Sequence, residues 1–416
     1  MTANIKLLHS CSFCGKNQTQ VKTLIAGGGN GAYICNECVD LCVNVIHPEG
    51  MAAQPTPAVD SLSPPEIVAW LDQHVIGQNL AKRTLAVAIM NHLRRIRTPE
   101  IDGVSIDKSN ILMIGSSGSG KSLMVNTLSK LLKVPFATVD ATSLSQTGYV
   151  GLDPEECLSR LFQSAENDMA RAQQGIIFVD EIDKIGRKSG ENVSTTRDVS
   201  GEGVQQALLK IIEGSDVKFT PAGGRKNPNG EFVTMNTRNI LFIFGGAFEG
   251  LTNIIAARQQ TKTSSMGFLS DPQDDNTTVA QSQLLSEVET EDLISFGMIP
   301  ELVGRIPVIL PFDDLDHSTL RRILTEPKNS LIRQFQAQFR QDGIELEFED
   351  AALDAIAAQV LRTKTGARGL RRVVERVLLN SQYNIAALRE QNVDKLIVNQ
   401  QTVVHNQEPL MILGDQ

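Results

Sequence analysis

No stretch of this 416-residue sequence approaches the apolar length that crosses a bilayer, and Met1 to Leu8 lack the pattern of a secretory signal. The expectation is a cytoplasmic protein with no membrane contact. Internal repeats are absent, which sets aside solenoids and propellers. Positive charge is not in excess: 39 Lys and Arg against 48 Asp and Glu leave a net charge of −9. That balance argues against a general nucleic-acid coat, while leaving room for a local basic patch. Cysteine is scarce. Of six residues, four form two Cys-x-x-Cys pairs and two, Cys42 and Cys157, stand alone. Such usage suits a metal site in a reducing compartment and not a disulfide framework. The remainder is ordinary for a globular chain, 41% hydrophobic and 21% charged, and long enough for two or three domains.

The cysteine pairs are Cys11-Ser12-Phe13-Cys14 and Cys35-Asn36-Glu37-Cys38. Each offers two thiolates from one tight turn, and two turns complete a tetrahedral zinc site. About twenty residues separate them, a spacing typical of four-cysteine modules. With all four positions taken by sulfur no place is left for water, so the zinc is expected to be structural and to fold a segment too small for its own core. A redox dithiol is the alternative for one pair, but two pairs favour the metal. Five prolines between His47 and Pro65 (48, 55, 57, 64 and 65) mark a linker. Ser63-Pro64-Pro65-Glu66 closes it as a capped helix start. A helix carrying Ile67, Val68 and Leu71 follows, then Val75-Ile76-Gly77-Gln78 and a second helix from about Asn79 to Arg95. The basic end of that second helix (Arg94, Arg95, Arg97) reads first as cations favoured at a helix C-terminus.

The apolar run Ile111–Ile114 reads as a buried parallel strand, and Gly115-Ser116-Ser117-Gly118-Ser119-Gly120-Lys121-Ser122 follows it directly. A helical pattern comes next, with Leu123, Leu128, Leu131 and Leu132 expected on one face. Strand, glycine-rich loop, Lys-Ser and helix form a phosphate-binding loop. Its backbone N–H groups and helix N-terminus suit phosphate oxygens; Lys121 can reach the terminal phosphates and the Ser122 hydroxyl can ligate Mg2+. Ile176-Ile177-Phe178-Val179-Asp180-Glu181 is a second buried strand, ending in two carboxylates. Ligands bind at such C-terminal strand edges in open α/β sheets. Asp180 is suited to hold Mg2+ through water and Glu181 to orient or deprotonate the attacking water.

The rest of the chain reads as scaffold. Residues 134–139 and 239–246 are further strands, and Asp153-Pro154-Glu155-Glu156 is a capped helix start. Gly148-Tyr149-Val150-Gly151 places apolar side chains in a connection, where a self-packed loop and a contact loop are equally good readings. Thr261 to Thr290 is polar and acidic, an expected surface excursion. After Pro311 comes a long amphipathic helix to about Gly343, an edge strand over Ile344–Phe348 and two more helices. The second of these starts near Gly366 and carries Leu370, Val373, Val374 and Val377.

In this order the motifs resemble the ClpX family of AAA+ unfoldases, nearly end to end. The stretches that carry the likeness are the four-cysteine module, Val75–Gln78, the phosphate loop, Gly148–Gly151 and Asp180-Glu181-Ile182-Asp183-Lys184. Arg197-Asp198-Val199-Ser200-Gly201-Glu202-Gly203-Val204, Gly304-Arg305 and Gly366-Ala367-Arg368 complete the set. The resemblance implies an α/β fold: an AAA+ P-loop ATPase with a parallel sheet flanked by helices. It also implies a small, mostly helical C-terminal α/β domain and an N-terminal zinc module. The implied domains are zinc-binding over 1–48, linker over 49–65, large ATPase domain over 66–312 and small domain over 313–416. ATP, Mg2+ and structural Zn2+ are the implied cofactors. The implied partners are a homo-hexamer, a ClpP-like peptidase, adaptors and protein substrates, with a chaperone role besides. Val75, Ile76 and Leu123 join residues 115–122 as nucleotide contacts. Arg305 resembles the finger that reaches a neighbour's γ-phosphate and Arg368 the second sensor. Tyr149 and Val150 resemble the gripping pore loop, and Arg197, Asp198, Val199 and Ser200 the second pore loop.

Three departures stand out. The family's Arg-Lys-His entrance loop is Arg225-Lys226-Asn227 here, and the peptidase-docking tripeptide is Met266-Gly267-Phe268 in place of Ile- or Leu-Gly-Phe. Methionine fills an apolar pocket well enough for docking to survive. The strand ending at Phe244 runs into Gly245-Gly246, so no first sensor is assigned. Two other classes compete. A nucleic-acid remodeller is disfavoured by the acidic balance and the apolar Tyr-Val loop, and a non-hydrolysing scaffold by the complete nucleotide motifs.

Overall fold

The computed structural model describes residues 9–18, 20–27, 31–39, 62–145, 152–186, 201–221, 232–264 and 284–414. The chain separates into two units, Met1–Ser61 and Leu62–Gln416. In the first, β1 (Leu24–Ala26) and β2 (Tyr33–Cys35) form an antiparallel hairpin, and a helical turn follows over 36–39. Among its described residues only three cysteines are buried, with Val21, Leu24 and Ile34 packed against them. That is too little apolar surface to hold a fold by itself.

The second unit opens with α1 (Pro64–Asp72), where the Glu66 carboxylate accepts from both the Ser63 N–H and its hydroxyl. Helix α2 (Asn79–Arg97) follows after a turn in which Gly77 and Gln78 both take positive φ. A small hairpin, β3 (Glu100–Ile101) with β4 (Val104–Ser105), precedes β5 (Ile111–Ile114), the phosphate loop and α3 (Lys121–Leu132). Then come β6 (Phe136–Asp140), α4 (Glu156–Ser164), α5 (Met169–Ala172) and β7 (Ile176–Asp180). Helix α6 (Glu202–Ile212) leads to the hairpin β8 (Asp216–Phe219) and β9 (Val233–Asn236), and on to β10 (Leu241–Gly246). Next are α7 (Leu251–Ser264), α8 (Thr290–Phe296), α9 (Pro300–Gly304) and β11 (Val308–Pro311). Strands β11, β5, β10, β7 and β6 lie in that order in one all-parallel sheet. β5 and β10 are buried along their whole length, as a sheet covered on both faces requires. All five C-terminal ends therefore meet at one edge, beside the phosphate loop.

Beyond Pro311 a smaller lobe has its own core. It comprises α10 (His317–Thr325), α11 (Leu331–Gln341), β12 (Glu345–Phe348), α12 (Asp350–Thr363) and α13 (Arg368–Tyr383). After these come α14 (Ile385–Glu390), β13 (Val393–Val398), α15 (Gln400–His405) and β14 (Leu410–Leu413). β12 is parallel to β13 and β14 antiparallel to it, which makes β12 an edge strand as expected.

Several expectations give way to the structure. The helix anticipated from Pro311 to Gly343 is two, because Pro327 interrupts the first and the Ser330 hydroxyl accepts from the Arg333 N–H to start the second. β11, β13 and β14 were not anticipated, being short runs without a marked alternation. The excursion over 261–290 is narrower: α7 continues to Ser264, and Leu285 is buried. There Arg258 donates to both Asp292 oxygens, at 2.8 and 3.0 Å, and to the Glu287 carbonyl. Helix α4 starts at Glu156 with Glu155 as its cap residue, not at Asp153. Leu123 leaves the buried face, whose apolar residues are Met124, Val125, Leu128, Leu131 and Leu132. At the end of α2, Arg95 is buried and donates to the Arg238 carbonyl at 3.1 Å, so these cations do not form one exposed basic stripe. His92 on the same helix is 6% exposed, and neither ring nitrogen has a hydrogen-bond partner among the described residues.

Candidate functional site

The phosphate loop leaves β5 and turns through Gly118 and Gly120, with φ of 80° and 104°, conformations that a side chain resists. Lys121 opens α3 with its side chain folded back, donating to the Gly115 and Ser116 carbonyls at 2.6 and 2.9 Å. Burial pushes its pKa down, while Asp180 and Asp183 pull the other way. Ser122 donates its hydroxyl proton to Asp180 Oδ2 at 2.7 Å. The two groups expected to hold a magnesium ion thus already touch. A hydroxyl and a carboxylate, all oxygen donors, fit a hard cation. Glu181 follows at φ 56°, a left-handed conformation uncommon outside glycine, and its own N–H donates to Asp180 Oδ1 at 3.0 Å. The reversal turns the Glu181 carboxyl away from the strand and into the cleft it helps to line.

That cleft has a volume of about 1070 Å³, ample for a nucleotide. Gly118, Lys121, Ser122, Leu123, Asp180 and Glu181 line one side, and Ile323, Leu331 and Arg368 of the small lobe the other. Leu123, 52% exposed, faces this space and not the core. Val75 and Ile76 are buried just behind, and a Cβ on Gly120 would lie 4.0 Å from Val75 Cγ1. Three tethers cross between the lobes. The Gln78 side-chain amide donates from Nε2 to the Asp313 carbonyl at 2.7 Å and accepts at Oε1 from the Asp313 N–H at 2.9 Å. The Lys328 N–H donates to the Gln73 carbonyl at 2.9 Å, and the Ala367 N–H to the Gly118 carbonyl at 3.2 Å. Next to the last, Arg368 Nη1 donates to Ser117 Oγ at 3.4 Å. Arg368, though 251 positions from Ser117, therefore stands at the phosphate loop.

Arg305 does not join this cleft. Its carbonyl accepts from Asn110 Nδ2 at 2.8 Å, at the start of β5, the opposite end of that strand from the loop. Its guanidinium, 57% exposed, pairs with Glu213 at 3.2 Å. Tyr149, Val150, Arg197, Asp198, Val199, Ser200, Arg225, Lys226, Met266, Gly267 and Phe268 all lie outside the described residues. Trp70 and His74, their rings tilted with centroids 5.5 Å apart, also line the cleft, and the Trp70 indole N–H donates to the Thr127 carbonyl at 3.4 Å. The sequence reading missed both, since nothing in a lone tryptophan says which cavity it borders.

In the N-terminal unit the sulfurs of Cys11, Cys14, Cys35 and Cys38 lie within 4.8 Å of one another. Cys14 and Cys35 Sγ are 3.6 Å apart, close to the roughly 3.8 Å that two sulfurs take on one tetrahedral zinc. Burial, then hydrogen bonds with the other three cysteines, push the Cys38 thiol up, so ionising this fourth sulfur needs a cation beside it. The Cys35 N–H donates to Cys11 Sγ at 3.3 Å, the kind of second contact that orients a metal-bound thiolate.

Three families match the chain. Residues 106–309 match the AAA domain (Cdc48 subfamily), 9–47 the ClpX C4-type zinc finger, and 315–392 the C-terminal, D2-small domain, of ClpB protein. With the parallel sheet and its phosphate loop, these make the protein an AAA+ ATPase of the Clp type. The zinc finger narrows the class further. This chain is a ClpX-like AAA+ protein with an N-terminal zinc domain whose four cysteines suit structural Zn2+. Among the described residues no helix is long and apolar enough to cross a membrane.

Proposed function

We propose that the protein is an ATP-driven unfoldase and translocase that threads protein substrates into a ClpP-like peptidase and can also act alone as a chaperone. The observation that carries this reading is the single cleft that joins the phosphate loop, Asp180, Glu181 and Arg368, in a chain with a ClpX-type zinc finger. Lys121, Ser122 and Asp180 would hold Mg2+ and ATP. The magnesium supplies charge neutralisation on the phosphates. Glu181 takes the proton of the attacking water, and Arg368 reads the phosphates from the small lobe. Arg305, remote from its own cleft, acts in a neighbouring subunit of a hexamer. Tyr149 and Val150 grip the chain in the pore, Arg197–Ser200 and Arg225–Lys226 serve as further substrate loops, and Met266–Phe268 dock the peptidase. A ring and a branched chain wedge against any backbone without reading sequence, which suits an enzyme that handles many substrates. The cytoplasm is the expected compartment.

The test follows fluorescence from a tightly folded reporter with an unstructured tail, in ATP, in a non-hydrolysable analogue, and with Tyr149→Ala. Loss that requires hydrolysis and collapses in the variant is the expected result. ATP turnover stimulated by DNA, with the reporter untouched, would replace this reading with a nucleic-acid remodeller.

A further inference from the structure

Gly246 and Ala247, at the end of β10, share one peptide plane, and both edges of it are engaged. Its carbonyl accepts from the Gly115 N–H, the first of the phosphate loop, at 3.2 Å. Its N–H donates to Asp183 Oδ1 at 3.1 Å. A peptide is rigid, so one plate ties the phosphate loop to the turn that bears Asp180 and Glu181. The Asp183 side chain is 3% exposed, and its second oxygen faces Lys184 Nζ at 3.5 Å. It borders the cleft together with Gly246 and Ala247, and its charge is felt by Lys121.

Room for this arrangement depends on residue 246 having no side chain. A Cβ there would stand 2.8 Å from Asp183 Oδ1 and 2.5 Å from a Phe248 ring carbon. The glycine pair that deprives the strand of a polar sensor therefore admits a carboxylate from the neighbouring turn.

We propose that Asp183 is a positioning residue for ATP hydrolysis. Through the Gly246–Ala247 peptide it holds the Glu181 turn in register with the phosphate loop, serving where the strand lacks a sensor side chain. The proposal rests on the ATPase reading with Glu181 as base. What the site requires of Asp183 is an acceptor for the Ala247 N–H, not a negative charge.

Full-length protein carrying Asp183→Ala and Asp183→Asn separates these requirements. For Asp183→Ala, kcat for ATP should fall at least about 10-fold, while Kd for a fluorescent ATP analogue stays within about 3-fold. Asp183→Asn keeps an oxygen of the same reach and should retain kcat within about 3-fold. An Asp183→Ala enzyme with unchanged kcat would overturn the proposal. So would an Asn variant as slow as Ala, or binding that weakens as much as kcat. If Asp183→Ala does not fold, Gly246→Ala reads the same link by crowding Asp183: lowered kcat with binding kept supports it, and unchanged kcat overturns it. Absence of ATP turnover in the unaltered chain would instead remove the ATPase reading, and the proposal with it.

Discussion

Glu181 carries two facts at once: a carboxyl type that the sequence displays and a left-handed backbone that it does not. The reversal at φ 56° goes with a carboxyl that lines the cleft, and Glu181→Gln keeps that shape while removing the proposed base. The variant should bind ATP normally and turn it over at least about 100-fold more slowly. Normal turnover would refute its role. His92 gives a second residue-scale prediction. Burial, with Arg95 and Lys108 nearby, pushes its pKa from 6.5 down to about 3, so the folded chain holds it neutral where the unfolded chain binds a proton. A depressed folded value means stability is intact above about pH 6.5 and is lost as pH falls toward 3. At pH 5 the loss from this group reaches up to about 2 kcal/mol. His92→Leu should flatten the fall in thermal stability between pH 7 and 5; an unchanged slope would count against the assignment. Leu123 shows where residue reading fails. An apolar residue at helical spacing reads as core, but this one lines the cleft beside the phosphate loop.

At the scale of elements, the hairpin β1–β2 has almost nothing to bury except the cysteines themselves. Stripping the metal with a chelator should abolish hydrogen-exchange protection in residues 24–35, while nucleotide binding by the 62–416 unit persists. Protection that survives chelation would assign those sulfurs another role. Elements defined by strong local chemistry were legible: the phosphate loop with its strand and helix, the carboxylate strand, the capped start of α1 and the cysteine turns. Elements defined by partners were not. β11 is four residues long and owes its strand to pairing with β5. β13 exists because it pairs with β12 on one side and β14 on the other, and β14 because it pairs with β13. The break between α10 and α11 was readable in principle from Pro327, but amphipathic spacing on both sides masked it.

For the whole molecule the residue to test is Arg305, which lies at the far end of β5 from the phosphate loop, so the trans role proposed for it requires an assembly. Arg305→Ala and Glu181→Gln chains should each be nearly inactive alone. Mixed, they should regain part of the ATPase, since some interfaces would pair an intact base with an intact arginine. Mixtures no more active than their components would argue that Arg305 does not act across subunits. The role proposed for Arg305 comes only from the resemblance, since no local pattern distinguishes such an arginine from one in a surface ion pair, and in the structure it pairs with Glu213.

The tethers at Gln78–Asp313, Gln73–Lys328 and Gly118–Ala367 have a mechanical consequence. A lobe pinned at several points along a cleft can swing like a door but can hardly slide. Opening or filling the cleft would therefore leave the molecule as torque, with the small lobe as crank arm.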